Sequence, residues 1–210
     1  MSEEFTLTQI DTYLQRLYAD ADSVRLEMEE LARQRRFPIV GPLAGRHLDQ
    51  LARMIGAQRI FELGSGYGYS ALYFARAVGP AGQVHCTELD AENIRLAEMF
   101  LSEAGLWERV TYHQEEATAA LARVGGTWDI IYNDIDKVGY PATIDLAYWH
   151  LRPGGLFITD NLFWHGRVFT GAADADTQGV IEFTRQLFAH SGFITSIYPA
   201  RDGLAVALRL

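Results

Sequence analysis

Cysteine and lysine occur once each in this chain of 210 residues, as Cys86 and Lys137. A single cysteine excludes an internal disulfide, and Cys86, inside an apolar run, reads as a small core residue rather than a redox centre. No apolar stretch approaches the roughly 20 residues that a membrane helix needs. The acidic, amphipathic N-terminus has neither the basic nor the apolar region of a signal peptide, so a cytoplasmic protein with no membrane partner is expected. Positive charge is in deficit: 18 Lys and Arg stand against 27 Asp and Glu, a net charge of -9. That balance disfavours a broad phosphate-binding surface and nucleic acid as partner, although Arg33, Arg35 and Arg36 form a local basic patch. A small-molecule substrate is the better expectation.

What is present is enough apolar material, 49% of residues, for one globular domain over 1–210. The first 57 residues read as helices, Thr8 to Ala19, Ser23 to Arg36 and Leu43 to Ile55, forming a helical cap whose broad apolar stripes suit covering a pocket, joining a second subunit or packing on their own domain. Residues 58–210 read as the core. Short β-rich runs at Arg59–Leu63, Gln83–Thr87, Val110–His113, Trp128–Asn133 and Leu156–Thr159 alternate with helical stretches at Ser70–Val78, Ala91–Ala104, Glu115–Val124 and Tyr140–Leu151. Such alternation predicts an α/β fold, a mostly parallel sheet with helices on both faces. After helix Thr177–His190, the runs Phe193–Tyr198 and Leu204–Leu210 are joined by a turn too short for a crossover. The sheet therefore closes with an antiparallel hairpin.

Ligands of open α/β sheets collect at the carboxyl ends of the strands, and the polar residues fall there. Gly64, Gly66 and Gly68 let the backbone turn tightly and approach a ligand, Ser70 opens the next helix, and Glu88 ends the next strand in position for ribose hydroxyls. A dinucleotide loop reads Gly-x-Gly-x-x-Gly, whereas this one reads Gly-x-Gly-x-Gly and follows Glu62. An acid there repels a pyrophosphate and suits an ammonium group, which favours S-adenosylmethionine over a dinucleotide. Asp134, Asp160 and Asn161 supply hard oxygen donors at two further strand ends, a set for a divalent cation with magnesium ahead of manganese and calcium. Lys137, the only lysine beside seventeen arginines, is the candidate base, because an amine loses its proton where a guanidinium does not. Trp164, His165 and Arg167 follow the metal set and are candidate walls of the substrate pocket, with Gly171–Thr177 as a cover.

Together these residues resemble the class I S-adenosylmethionine-dependent methyltransferases, and within them the cation-dependent O-methyltransferases of the caffeoyl-CoA and catechol type. The likeness rests on Val40-Gly41, Glu62-Leu63-Gly64 with Gly68-Tyr69-Ser70, Glu88-Leu89-Asp90, Asp134-Ile135-Asp136-Lys137, Arg152-Pro153-Gly154-Gly155, Asp160-Asn161 with Trp164-His165-Gly166-Arg167-Val168, and Asp202-Gly203. It implies a Rossmann-like, seven-stranded sheet. It further implies that Asp134, Asp160 and Asn161 hold the cation, with Lys137 and Asp134 at the reacting hydroxyl of a catechol-like vicinal diol, such as a phenylpropanoid or flavonoid. Val40, Glu62, Gly64 and Ser70 would surround the methionine part of the cofactor, with Gly66, Gly68 and Asp134 beside it, Glu88 on the ribose and Glu116-Ala117 on the adenine. Relatives are commonly homodimers. The sequence departs from the pattern at Gly66, at Glu115, and at Leu43-Ala44-Gly45-Arg46, which lacks the acid-Gly-Gln run of the plant enzymes. A tRNA hydroxynucleoside O-methyltransferase with the same metal site, and an NAD-dependent oxidoreductase, are the alternatives.

Overall fold

Three helices precede the sheet in the computed structural model, which describes residues 6–17 and 22–210. They are α1 (Leu7–Leu17), α2 (Ser23–Arg35) and α3 (Gly41–Met54). The first expected helix is present to Leu17; Tyr18 and Ala19 lie outside the described residues. Asp22 caps α2 by accepting from the Arg25 N–H, and the helix stops where Arg36 turns left-handed at φ 52.

Strand and helix then alternate through β1 (Arg59–Leu63), α4 (Tyr69–Ala77), β2 (Gln83–Thr87), α5 (Ala91–Glu103), β3 (Val110–His113), α6 (Ala117–Val124), β4 (Trp128–Asn133), α7 (Thr143–His150) and β5 (Leu151–Thr159). A short helix α8 (Arg167–Thr170) and the longer α9 (Ala175–Ala189) lead to β6 (Phe193–Tyr198) and β7 (Leu204–Arg209). The seven strands lie in the order β3-β2-β1-β4-β5-β7-β6. The first five are parallel, and β7 runs antiparallel to both β5 and β6, as the short turn requires.

The central strands are apolar on both faces because both faces are covered. Ile60, Val84, Ile130 and Ile158 pack toward α2, α3, α4 and α5. Phe61, Trp128, Ile131 and Phe157 pack toward α6, α7 and α9. Chain order reverses between β1 and β4, which are neighbours in the sheet but far apart in sequence, so a crevice opens between their carboxyl ends.

Boundaries moved for identifiable reasons. The expected helix Tyr140–Leu151 begins only at Thr143, since Pro141 lacks an N–H, and residues Lys137–Ala142 form a 3-10 turn instead. Helix α6 starts at Ala117 because Glu116 caps it. Strand β5 begins at Leu151, with a register shift opposite Trp128 and Ile130 that takes up the Pro-Gly-Gly run. The expected cover loop Gly171–Thr177 is partly helical, since Asp174 caps α9 at Ala175. No described helix is long and apolar enough to cross a membrane.

Candidate active site at the carboxyl ends of β1 and β4

A cavity of about 1260 Å³ opens over the switch point, lined by Val40, Gly64, Gly66, Ser70, Glu88, Glu116, Ala117, Asp134, Lys137, Asp160, Asn161 and Trp164, all named from sequence. Pockets for one drug-sized ligand measure about 300–1,000 Å³, so this larger cavity has room for two molecules side by side. The loop after β1 depends on Gly64: it has φ +81, and a Cβ there would lie 2.7 Å from the Asp134 carbonyl oxygen. Close approach of the β1 and β4 loops is therefore possible only without a side chain.

The half of the cavity over β1 and β2 is walled by backbone and by Glu88. One oxygen of Glu88 accepts from the Leu89 and Asp90 N–H groups at 2.8 and 2.9 Å, which fixes the carboxylate at the strand end. Glu62 does not line the cavity. It is fully buried, its Oε2 accepts from the Cys86 thiol at 3.1 Å, and its Oε1 has no partner. Burial pushes its carboxyl up to about 7, with the Cys86 thiol pulling the other way. Glu116 lines the cavity, yet its carboxylate is engaged by the N–H groups of Thr118 and Ala119 at 3.0 and 2.8 Å. Burial raises that group, but those N–H donors outweigh it and hold it below the usual range. Gly68 lies outside the wall and starts α4 at φ 89.

The half over β4 and β5 holds Asp134, Lys137, Asp160 and Asn161. Lys137 is 7% exposed, not the surface lysine that its neighbourhood of charges would permit. Its Nζ donates to Asp134 Oδ1 at 2.8 Å and to the Tyr140 hydroxyl at 2.7 Å, and that hydroxyl donates to the Asp160 carbonyl at 3.0 Å. Burial and the charges of Asp134 and Asp160 raise the Tyr140 phenol well above its usual value, so it stays neutral. Burial also pushes the Asp160 carboxyl up to about 7; the Asp134 charge adds to this, while the Asn161 N–H and the charges of Arg201 and Lys137 oppose it. Asn161 adopts φ 62, and its amide NH2 donates to Asp202 Oδ2 at 3.4 Å. That bond leaves the amide oxygen for another partner.

Among the described residues no group of three His, Cys, Asp or Glu side chains suited to a metal occurs. The expected set is different in kind, two carboxylates and one amide oxygen. It fits a hard divalent cation on physical grounds, since Asp134 and the buried Asp160 repel one another and a cation between them relieves both. Trp164 walls this half: its ring lies 5.5 Å from the Lys137 ammonium, and its Nε1 is buried without a partner. His165 lines the cavity too, and both residues sit at positive φ, 44 and 54. Arg167 does not line it; its Nη2 donates to Asp174 Oδ2 at 2.7 Å and pins α8 to α9.

Sequence reasoning gave no role at the site to Tyr140, Asp202 or Cys86. Tyr140 stands three residues after Lys137, a spacing that puts both on one face of a tight turn and was a usable signal. Asp202 and Cys86 reach the site only through the sheet.

A family profile described as O-methyltransferase matches residues 21–210. The catechol O-methyltransferase of Mycobacterium tuberculosis is 31% identical over 170 residues, spanning 78% of this chain and 77% of that protein. That of Niastella koreensis is 28% identical over 211 residues, spanning 95% and 96%. In three dimensions the O-methyltransferase TomG of Streptomyces achromogenes, solved in complex with SAM, superposes with a TM-score of 0.85 at 28% identity, over 100% of this chain and 99% of that one. With the profile spanning nearly its whole length and the fold shared throughout, the chain belongs to the O-methyltransferase family.

Proposed function

We propose that the protein methylates one hydroxyl of a vicinal diol on an aromatic small molecule, using S-adenosylmethionine and a divalent cation, magnesium first. One observation carries this reading: Asp134, Asp160 and Asn161, at the ends of the neighbouring strands β4 and β5, line one cavity, with a buried lysine hydrogen-bonded to Asp134 at 2.8 Å. When bound, the cofactor supplies an activated methyl group and the cation supplies positive charge at the acceptor oxygens. Asp134, Asp160 and the Asn161 amide oxygen would hold the cation.

The chain's own residues supply position and proton transfer. Glu88 receives the ribose hydroxyls, and the cavity wall at Val40, Gly64 and Ser70 encloses the methionine part, with the charge of Glu62 acting on its ammonium from behind. Ala117 and the loop at Glu116 face the adenine. Lys137 Nζ, hydrogen-bonded to Asp134 at 2.8 Å, is the group that accepts the proton of the reacting hydroxyl. Tyr140, tied to Lys137 and to the Asp160 carbonyl, fixes the direction in which that nitrogen points. Trp164 closes the acceptor side against water. Residues 1–57 are taken as a cap on the core at 58–210 of one domain, and the enzyme as a cytoplasmic homodimer; light scattering tests the dimer.

The deciding experiment is methyl transfer from labelled S-adenosylmethionine to catechol, with magnesium and with excess EDTA. Turnover with magnesium and its loss under EDTA is the expected result. Turnover that persists unchanged in EDTA, with no metal left in the protein, overturns the cation part of the reading.

A further inference from the structure

Arg201 lies in the turn between β6 and β7, on the rim of the active-site cavity. Its backbone is left-handed at φ 51, a conformation that favours glycine. The side chain is held in return. Nη1 donates to the Ile39 carbonyl at 2.6 Å, and the guanidinium packs against Gly41. A Cβ on Gly41 would stand 2.6 Å from Nη1 and 3.0 Å from Cζ, so the absence of a side chain there makes the berth.

The lysine and the other arginine lining the cavity are committed to carboxylates. Lys137 is bound to Asp134, and Arg33 to Glu30. His165 has Asp202 at 3.8 Å. Arg201 has no ion pair and no hydrogen bond other than that to Ile39 among the described residues. Its position is at the acceptor end, since the next residue, Asp202, accepts from the Asn161 amide and, at 2.7 Å, from the His165 N–H. A guanidinium fixed at one nitrogen still presents a second edge, and that planar edge matches a carboxylate with two parallel hydrogen bonds. Asp11, Asp136 and Asp176 line the same cavity, so an anion is drawn to the guanidinium of Arg201 and away from these carboxylates.

We infer that the methyl acceptor carries a carboxylate besides its diol, and that Arg201 receives it. This rests on the vicinal-diol reading and sharpens it to an anionic aromatic acid.

The test compares protocatechuate, its neutral methyl ester and the cationic dopamine as acceptors, with magnesium and saturating cofactor, for the wild type, R201Q and R201K. The wild type is expected to show a KM for protocatechuate about tenfold below that for the ester. R201Q should erase most of that difference, and R201K, which keeps the charge, should retain part of it. Equal KM values for acid and ester in the wild type, a preference for dopamine, or an R201Q loss that falls equally on acid and ester each overturns the inference, the last assigning Arg201 to a purely structural strap. If none of the three catechols is methylated, the diol reading itself fails. Arg201 is then judged separately by NMR titration of S-adenosylhomocysteine-loaded protein with benzoate and methyl benzoate, where binding of benzoate that R201Q abolishes supports the inference and indifference to R201Q refutes it.

Discussion

The two ends of the central strands treat buried polar groups in opposite ways. At the amino ends, Asp129 of β4 accepts from the Gln58 and Arg59 N–H groups, both at 2.8 Å, and pairs with Arg152 of β5. Burial raises its carboxyl, but these partners more than offset that and leave it below the usual range. At the carboxyl ends, Glu62 Oε1, both polar atoms of the Asn133 side chain, Tyr132 Oη and Thr159 Oγ1 are buried without a partner, and Asp160 is held up at about 7. A buried polar group left unpaired costs about 1–3 kcal/mol, so one end of the sheet is built for stability while the other stores cost that a ligand can release. Thr195 and Arg209 Nε, the remaining unpartnered atoms besides those of Ser65 and Trp164, lie in the hairpin strands rather than at this crevice.

Four measurements sharpen or break that contrast. Lys137→Ala should lower kcat by about 100- to 10,000-fold while changing affinity for S-adenosylhomocysteine by less than about threefold. A calorimetric loss of cofactor binding with kcat preserved would turn Lys137 into a cofactor residue. Next in size is Glu62. Its folded carboxyl, raised to about 7 from an ordinary value of 4.5, keeps its proton in the folded state between those values. The cofactor-free protein therefore loses stability as pH rises from about 4.5 to 7, by up to about 3 kcal/mol, and Glu62→Gln should flatten this fall in denaturant titrations across that window. An identical pH slope in both proteins removes Glu62 from the strained end.

The same substitution at opposite ends should then have opposite signs. Asp129→Asn leaves Arg152 without its anion and weakens the acceptor of two strand-end N–H groups, at a cost of about 2 kcal/mol in urea unfolding, with kcat per folded molecule retained. Asp160→Asn removes one of two repelling carboxylates and should stabilise the metal-free protein at pH 8 by on the order of 1 kcal/mol, while abolishing thermal stabilisation by magnesium. Should Asp160→Asn destabilise like Asp129→Asn, the two ends are not different in kind.

Strand–helix alternation and the short final turn were enough to anticipate all seven strands and the antiparallel closure, because period and loop length are local properties. The glycine loop, Glu88 and the Asp134, Asp160 and Asn161 set were legible for a similar reason: each ends a strand, and strand ends of a parallel sheet converge. Burial was harder to read. Lys137 stands among charges and looks like a surface residue, but the 3-10 turn at Pro141 swings it inward onto Tyr140. Glu116 was expected at the adenine, and its carboxylate is occupied in capping α6, a role that its position before a helix made available. Arg167 was expected at the substrate and is bound to Asp174 instead, because the short helix α8 sets it beside the residue that caps α9.

The chain alone determined which residue types are available at which strand ends, since hydrophobic spacing sets the elements and their order. Which of those side chains share a cavity was decided only by the folded sheet. Glu62 meets Cys86 because β1 and β2 pair in register, and Arg201 meets Ile39 across more than 160 positions because β7 inserts beside β5 and brings its turn back to the mouth of the site. Contacts between residues so far apart in sequence arise from strand pairing, and local spacing carries no record of them.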